Sequence, residues 1–242
     1  MCSGYIDIHS HILPGVDDGS KDCNMSMEML RIAEQSGINE IILTPHNKPM
    51  HHNVKLEKMR ILSEQLQEAM AQEGINIRLH TGNEIYYRSD ILDVLEHEDA
   101  YTLAESSYVL TEFGPMEAFD RIRGGIYQIL SGGYKPILAH VERYASICSR
   151  PEYADELAEM GCYIQVNAGS ILGWHGWQEK RFTKKLLKRK MVHFVATDAH
   201  NTEKRGPHLK ECAELIMRKY GEAYARQLMI ENPAHVIADE YI

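Results

Sequence analysis

The sequence predicts a parallel α/β barrel, and three observations predict it. Short apolar runs rich in β-branched residues alternate with longer amphipathic stretches, glycines punctuate the joints, and chemistry-bearing side chains stand directly after the apolar runs. Strand alternating with helix implies parallel βαβ units, because two parallel strands need a crossover long enough to hold a helix. About seven such units in 242 residues suggest a closed or nearly closed barrel, slightly short of eight.

The elements follow in chain order. A strand over 5–8 (YIDI) precedes a helical pattern over 25–36, which stops at Gly37. The strand over 40–43 (EIIL) leads to a helix over 54–72 closed by Gly74. The third strand, 75–80, feeds a helix over 89–96, and the fourth, 108–111, feeds one over 116–131 that ends at Gly132 and Gly133. Three more pairs complete the series: strand 136–139 with helix 151–160 and Gly161, strand 163–166 with helix 179–190, and strand 193–196 with helix 207–220. Glycine at these joints suits the left-handed residue that closes a helix. No linker, repeat or low-complexity segment divides the chain, so one domain over 1–242 is expected.

Composition narrows the function. A net charge of −9 argues against a general nucleic-acid binder, which needs a basic surface to release counterions. No run of about 18 apolar residues is present, so no membrane insertion is expected, and MCSGYIDIHSHILPG lacks the basic start of a signal peptide. Five cysteines (Cys2, Cys23, Cys148, Cys162 and Cys212) without paired spacing suit reduced thiols and a cytoplasmic location. Thirteen histidines raise the prospect of metal or acid–base chemistry.

Their placement carries more than their number. His9 and His11 follow the first strand, His46 the second and Glu84 the third; Glu112, His140 and the pair Asp198 and His200 follow later ones. Six of the seven expected strands therefore end in a metal-capable side chain. Parallel barrel strands converge at their C-terminal ends, so residues scattered in sequence would meet there. Any one of them alone reads better as a turn or core residue; the repeated position is the signal. Imidazole and carboxylate without thiolate suit manganese, iron(II) or zinc, and H-x-H or D-x-H on extended backbone puts both side chains on one side.

In order, IDIHSHILPGVDDG, TPH, GNEIYY, LTEF, AHVERY, CYIQVN and TDAHN resemble the PHP (polymerase and histidinol phosphatase) superfamily. Within it the chain looks most like the CpsB-type metal-dependent protein-tyrosine phosphatases of bacterial capsule and exopolysaccharide loci, over essentially its whole length. The resemblance implies a distorted, TIM-like (β/α)7 barrel with three divalent ions, commonly manganese. His9, His11, Glu84 and Asp198 would hold one ion, Glu84, Glu112 and His140 a second, and Asp18, His46 and His200 a third. Arg143 and Arg205 would receive the phosphate oxygens, and a metal-activated hydroxide would attack phosphorus. With three ions, about +6 stands against about −4 from Asp18, Glu84, Glu112 and Asp198, which leaves a pocket attractive to a phosphomonoester dianion.

The implied partner is a phosphotyrosine protein, foremost a bacterial tyrosine kinase that controls polysaccharide export. The competing readings are the same machinery acting on a small phosphomonoester such as histidinol phosphate, and a non-catalytic metal-containing module. Other features read blandly. Asp7 is a candidate to orient a histidine, and Asp17 suits a turn. His175 and His208 read as surface or capping residues, and Trp174 and Trp177 as a loop beside the mouth or a plain surface loop. The C-x5-R spacing of Cys212 and Arg218 lies in a helical pattern without glycine and cannot cradle phosphate.

Overall fold

The computed structural model describes residues 4–97 and 99–242. Its strands are β1 (Tyr5–Ser10), β2 (Ile38–Leu43), β3 (His46–Asn47), β4 (Arg78–Thr81), β5 (Glu84–Tyr86), β6 (Tyr108–Glu112), β7 (Lys135–Leu138), β8 (Tyr163–Asn167) and β9 (Phe194–Ala196). All the pairings are parallel, in the orders β1-β2-β4 and β3-β5-β6-β7-β8-β9. Each expected strand is present within a few residues of its place, and β3 and β5 are additions.

The two additions continue their predecessors. β2 and β3 are interrupted at Thr44 and Pro45, and β4 and β5 at Gly82 and Asn83. Proline has no N–H for the ladder, so the pairing breaks there. Bonds from Gly82 N–H to the Leu43 carbonyl (2.9 Å) and from Glu84 N–H to the Pro45 carbonyl (3.3 Å) carry it across. At the far edge, Ser10 bridges Ala199 in parallel, and Asp198 N–H reaches the His9 carbonyl at 2.9 Å. The sheet is thus curled, with the end of its first strand hydrogen-bonded to the segment after its last. Of the sequence expectation, the α/β fold with a curled parallel sheet is observed.

Side-chain alternation explains the two packed faces. Ile6, Ile8, Tyr108, Leu110, Ile137, Ala139, Phe194 and Ala196 are fully buried together inside the curl. Their neighbours Ile41, Leu43, Leu138, Ile164, Val166 and Val195 face outward under the helices, against residues such as Leu30, Ile126, Leu157 and Leu186. A buried aliphatic side chain of this size contributes about 1.5–3 kcal/mol. The helix Leu56–Glu73 closes at Gly74, whose φ of 73° is the left-handed value expected there.

Two departures have physical causes. β4 starts at Arg78 rather than at 75, because the Ile75 N–H still closes the preceding helix on the Met70 carbonyl at 3.0 Å and the Gln67 side chain takes the Ile77 carbonyl. The helical segments Glu222–Arg226, Gln227–Glu231 and Asn232–Ile237 were not expected. Their apolar residues are too few per segment to show a period, yet Val236 packs inside the curl with Ile6 and Phe194. Among the described residues no helix is long and apolar enough to cross a membrane. Cys23, Cys148, Cys162 and Cys212 are free thiols, while Cys2 lies outside the described residues.

Candidate metal centre

The curl gathers His9, His11, Asp18, His46, Glu84, Glu112, His140, Asp198 and His200 into one connected cluster. His9 Nε2 lies 3.2 Å from His11 Nε2, and each is 3.4 Å from Glu84 Oε2. Asp198 Oδ1 is 3.6 Å from His9 Nε2 and 3.4 Å from His11 Nε2. The other Glu84 oxygen meets His140 Nε2 at 2.7 Å, and His140 Nε2 is 3.7 Å from Glu112 Oε2. His46 Nδ1 lies 2.9 Å from Glu84 Oε2 and 3.2 Å from Glu112 Oε1. Its Nε2 faces Asp18 Oδ1 at 3.3 Å, and His200 Nε2 faces the same oxygen at 3.5 Å. Glu84 is the hub, since its two oxygens address different histidines.

Local backbone aims these groups. His140 and Asp198 hold left-handed φ values of 33° and 52°, a strain on the order of 1–2 kcal/mol each that turns both side chains inward just after β7 and β9. The turn carrying Asp17 and Asp18 folds back over His11, where Ser20 N–H bonds the His11 carbonyl at 2.9 Å. Gly19 permits that approach: a Cβ there would sit 2.1 Å from the His11 carbonyl oxygen.

The ring tautomers follow from the bonds. Gln165 Oε1 accepts from His140 N–H at 2.7 Å and faces His9 Nδ1 at 3.3 Å, so Nδ1 of His9 carries the proton and Nε2 presents a lone pair. Asp17 Oδ2 lies 2.7 Å from His11 Nδ1 and fixes that ring in the same sense. Two imidazole lone pairs 3.2 Å apart, with carboxylate oxygens alongside, suit a cation between them. Bonds of about 2.1 Å to one ion place its ligands about 3.0–3.4 Å apart, close to the spacings seen here. Further, Glu84 Oε2, Glu112 Oε1 and His46 Nδ1 are buried with no hydrogen bond among the described residues. The donor set fits divalent ions.

The same carboxylates also draw protons onto the rings, in competition with a metal. Burial opposes protonation of His9, but Glu84 and Asp198 override it and hold the ring above the ordinary imidazole range. Burial is likewise outweighed at His11 by Asp17, Asp198 and Glu84, and at His46, where Glu112 and Glu84 push the ring up to about 9. Glu84 and Asp198, which burial alone would raise, are held well below the usual carboxylate range by these imidazoles. His200 goes the other way: burial and then His11 lower it, so it stands neutral.

Arg143 and Arg205 converge at the rim. Arg143 Nη2 donates to Asp198 Oδ2 at 2.8 Å, and Arg205 Nη2 lies 3.3 Å from the same oxygen and 3.0 Å from His200 Nε2. Both side chains remain about one-third exposed beside a carboxylate that is 1% exposed. Two guanidinium groups so placed can donate to the oxygens of a tetrahedral dianion.

Sequence reasoning missed the contribution of β8. Gln165 and Asn167, two apart on one face, orient the site: Gln165 donates to Asn167 Oδ1, and Asn167 Nδ2 donates to Asp198 Oδ2, both at 2.8 Å. The Q-x-N pattern after an apolar run was the available signal. Asp17 does more than form a turn, and Lys48 Nζ approaches Glu112 Oε1 at 3.6 Å. Asp7 touches no imidazole ring; it accepts from the backbone N–H of His9 and from Thr197. His175 is half-buried over Gly169 with Nδ1 3.1 Å from Ser170 Oγ, rather than a plain surface residue. Cys212 is buried in the helix Leu209–Tyr220, with burial raising its thiol, which rules out a phosphate loop there.

Residues 5–238 match the family described as capsular polysaccharide synthesis, CpsB/CapC. The chain is 35% identical over 242 residues to the tyrosine-protein phosphatase CpsB of Streptococcus pneumoniae, covering 98% of this chain and 100% of that one. It is 34% identical to the tyrosine-protein phosphatase YwqE of Bacillus subtilis, covering 98% and 93% of the two chains. A crystal structure from work on YwqE of Bacillus subtilis and CpsB of Streptococcus pneumoniae, described as unique metal-dependent tyrosine phosphatases, superposes with a TM-score of 0.93. That match has 32% identity and covers 98% of this chain and 96% of the other.

Proposed function

The chain belongs to the capsular polysaccharide synthesis CpsB/CapC family, and from that premise we propose that it is a metal-dependent protein-tyrosine phosphatase, hydrolysing phosphotyrosine to tyrosine and inorganic phosphate. The observation that carries the reading is the meeting of Arg143 and Arg205 on Asp198, at the rim of a nested histidine and carboxylate set. In this reading His9, His11, Glu84 and Asp198 hold one ion, Glu84, Glu112 and His140 a second, and Asp18, His46 and His200 a third, with manganese the first choice over iron or zinc. The two-sided contacts of Glu84 support its shared place. Divalent ions bound by these residues would supply a water of near-neutral pKa and positive charge against the phosphoryl oxygens.

The chain's own residues do the rest. Arg143 and Arg205 grip the phosphoryl oxygens on their exposed sides and stabilise the charge that builds there during transfer. Gln165, Asp17 and Asn167 keep the rings of His9 and His11 and the Asp198 carboxylate aimed inward. A tyrosyl oxygen, with a pKa near ~10, leaves with less protonation than an alkoxide, which suits a site without a dedicated acid.

The wider reading is a distorted (β/α)7 barrel forming one domain over 1–242, located in the cytoplasm and acting on a bacterial tyrosine kinase of a capsule or exopolysaccharide locus. The Ser10–Ala199 bridge, the superposition and the names of the relatives support it. Phosphate release from a phosphotyrosine peptide, measured beside histidinol phosphate with manganese-loaded and chelated protein, tests it. Metal-dependent turnover with a strong preference for the peptide is expected; a strong preference for histidinol phosphate would overturn the substrate.

A further inference from the structure

A groove of about 750 Å³ is lined by Arg143 at the metal centre and by the helix Trp177–Lys188. Pro115, Glu142 and Pro151 line it together with Trp177, Glu179, Arg181 and Lys185 of that helix, and Glu142 is buried. Trp177 is 69% exposed, and the Arg181 guanidinium lies 5.3 Å over its ring, which holds a large indole upright on the rim instead of packed in the core. Of this helix's basic residues, Arg181 and Lys185 line the groove, whereas Lys180 and Lys184 line a separate cavity with Leu215 and Tyr220; the chain's net charge is −9. Two exposed cationic side chains beside Arg143, on an otherwise acidic molecule, attract an acidic partner locally.

We propose that this groove receives the acidic polypeptide flank of a phosphotyrosine substrate, which makes acidic sequence beside the phosphotyrosine a determinant of specificity. The inference rests on the phosphatase reading, because Arg143 is common to the groove and to the phosphate-binding pair. A phosphoryl group held by Arg143 and Arg205 brings the adjoining polypeptide to the wall formed by Trp177 and Arg181. There the indole offers apolar area to extended backbone, and Arg181 and Lys185 offer charge to Asp or Glu side chains. The concave shape and the shared arginine favour a polypeptide; a basic face serving only a lipid surface needs neither.

The test uses full-length, manganese-loaded protein and two phosphotyrosine peptides of equal length, one with Asp and Glu flanks and one with Lys flanks. p-Nitrophenyl phosphate serves as the small aryl control. The wild type should favour the acidic peptide by roughly 3- to 10-fold in kcat/KM, through KM, as two exposed ion pairs allow. The exposed double substitution Arg181→Glu and Lys185→Glu should abolish or invert that preference while turnover of the aryl phosphate stays unchanged. Tryptophan fluorescence with a non-hydrolysable phosphonate analogue of the acidic peptide gives the binding readout, which should weaken in the same variant. Equal rates on both peptides, or a preference that survives the double substitution, overturn the proposal and leave the phosphatase reading standing. So does a variant that loses only sedimentation with phosphatidylglycerol vesicles, which assigns the two cations to a membrane. Flank-dependent binding of the analogue without turnover of any phosphomonoester upholds the groove and sinks the activity instead.

Discussion

Gln165 decides which nitrogen of His9 faces the metal centre. Its Oε1 accepts the His140 N–H and faces His9 Nδ1, so the amide is fixed in one orientation and the ring in one tautomer. Replacing Gln165 with Ala should weaken metal binding by about 10–100-fold, read by competition with a chelator, while the fold persists. Unchanged affinity would remove Gln165 from this role. His9→Ala and His140→Ala act more directly: each should lose an ion by elemental analysis together with activity, with a circular-dichroism spectrum like the wild type's, because the apolar interior lies below both residues. Arg143→Ala should lower kcat/KM by about 10²–10³-fold with metal content retained, as expected for loss of one donor to the phosphoryl group. Metal loss in that variant would show that Arg143 serves chiefly to hold Asp198, its 2.8 Å partner.

At the scale of elements, the joint between β8 and β9 depends on a neutral histidine. His193 Nδ1 accepts the Ile164 N–H at 3.0 Å, and burial lowers the ring to about 4. The unfolded chain takes up a proton from about pH 6.5 downward, whereas the folded chain resists until about pH 4. Stability from this ring is therefore complete above pH 6.5 and is lost as pH falls through that window. Urea titrations of wild type and His193→Gln should show the wild type's advantage shrinking by about 2 kcal/mol between pH 7.5 and 4.5. Asp7, whose carboxyl burial raises to about 6, titrates in the same range with the opposite sign, but it is common to both proteins and drops out of the difference. A pH-independent difference would mean that His193 takes up its proton at the same pH in the folded and unfolded chain.

For the whole molecule, the buried charges tie folding to metal. Carboxylates at Glu84 and Asp198 are balanced either by protons on His9, His11 and His46 or by metal ions. Raised imidazole pKa values stabilise the chelated protein below about pH 6.5, and that contribution disappears as pH climbs, through about 9 for His46. Metal binding gains over the same range because the protons no longer compete. The gap in Tm between manganese-loaded and chelated protein should thus widen from pH 6 to pH 9, reaching about 5–10 °C with metal at a hundred times its Kd. A gap that stays constant over this range would show that protons and metal do not share the site.

Local rules carried the sequence a long way. Periodicity and helix-closing glycines located the seven strand positions, and the spacing of His9, His11, His46, Glu84, Glu112, His140, Asp198 and His200 after those strands was legible because strand ends are where parallel sheets expose their chemistry. Tertiary structure alone decided the breaks at Pro45 and Gly82, the C-terminal segment whose Val236 enters the curl, and the orienting pair Gln165 and Asn167. It also decided the convergence of Arg143 and Arg205 on Asp198 and the groove leading from it. The physical reason is range. A strand's period is written in adjacent residues, whereas a bond such as that from Arg143 to Asp198 joins residues 55 apart and exists only once the sheet has curled to bring them together.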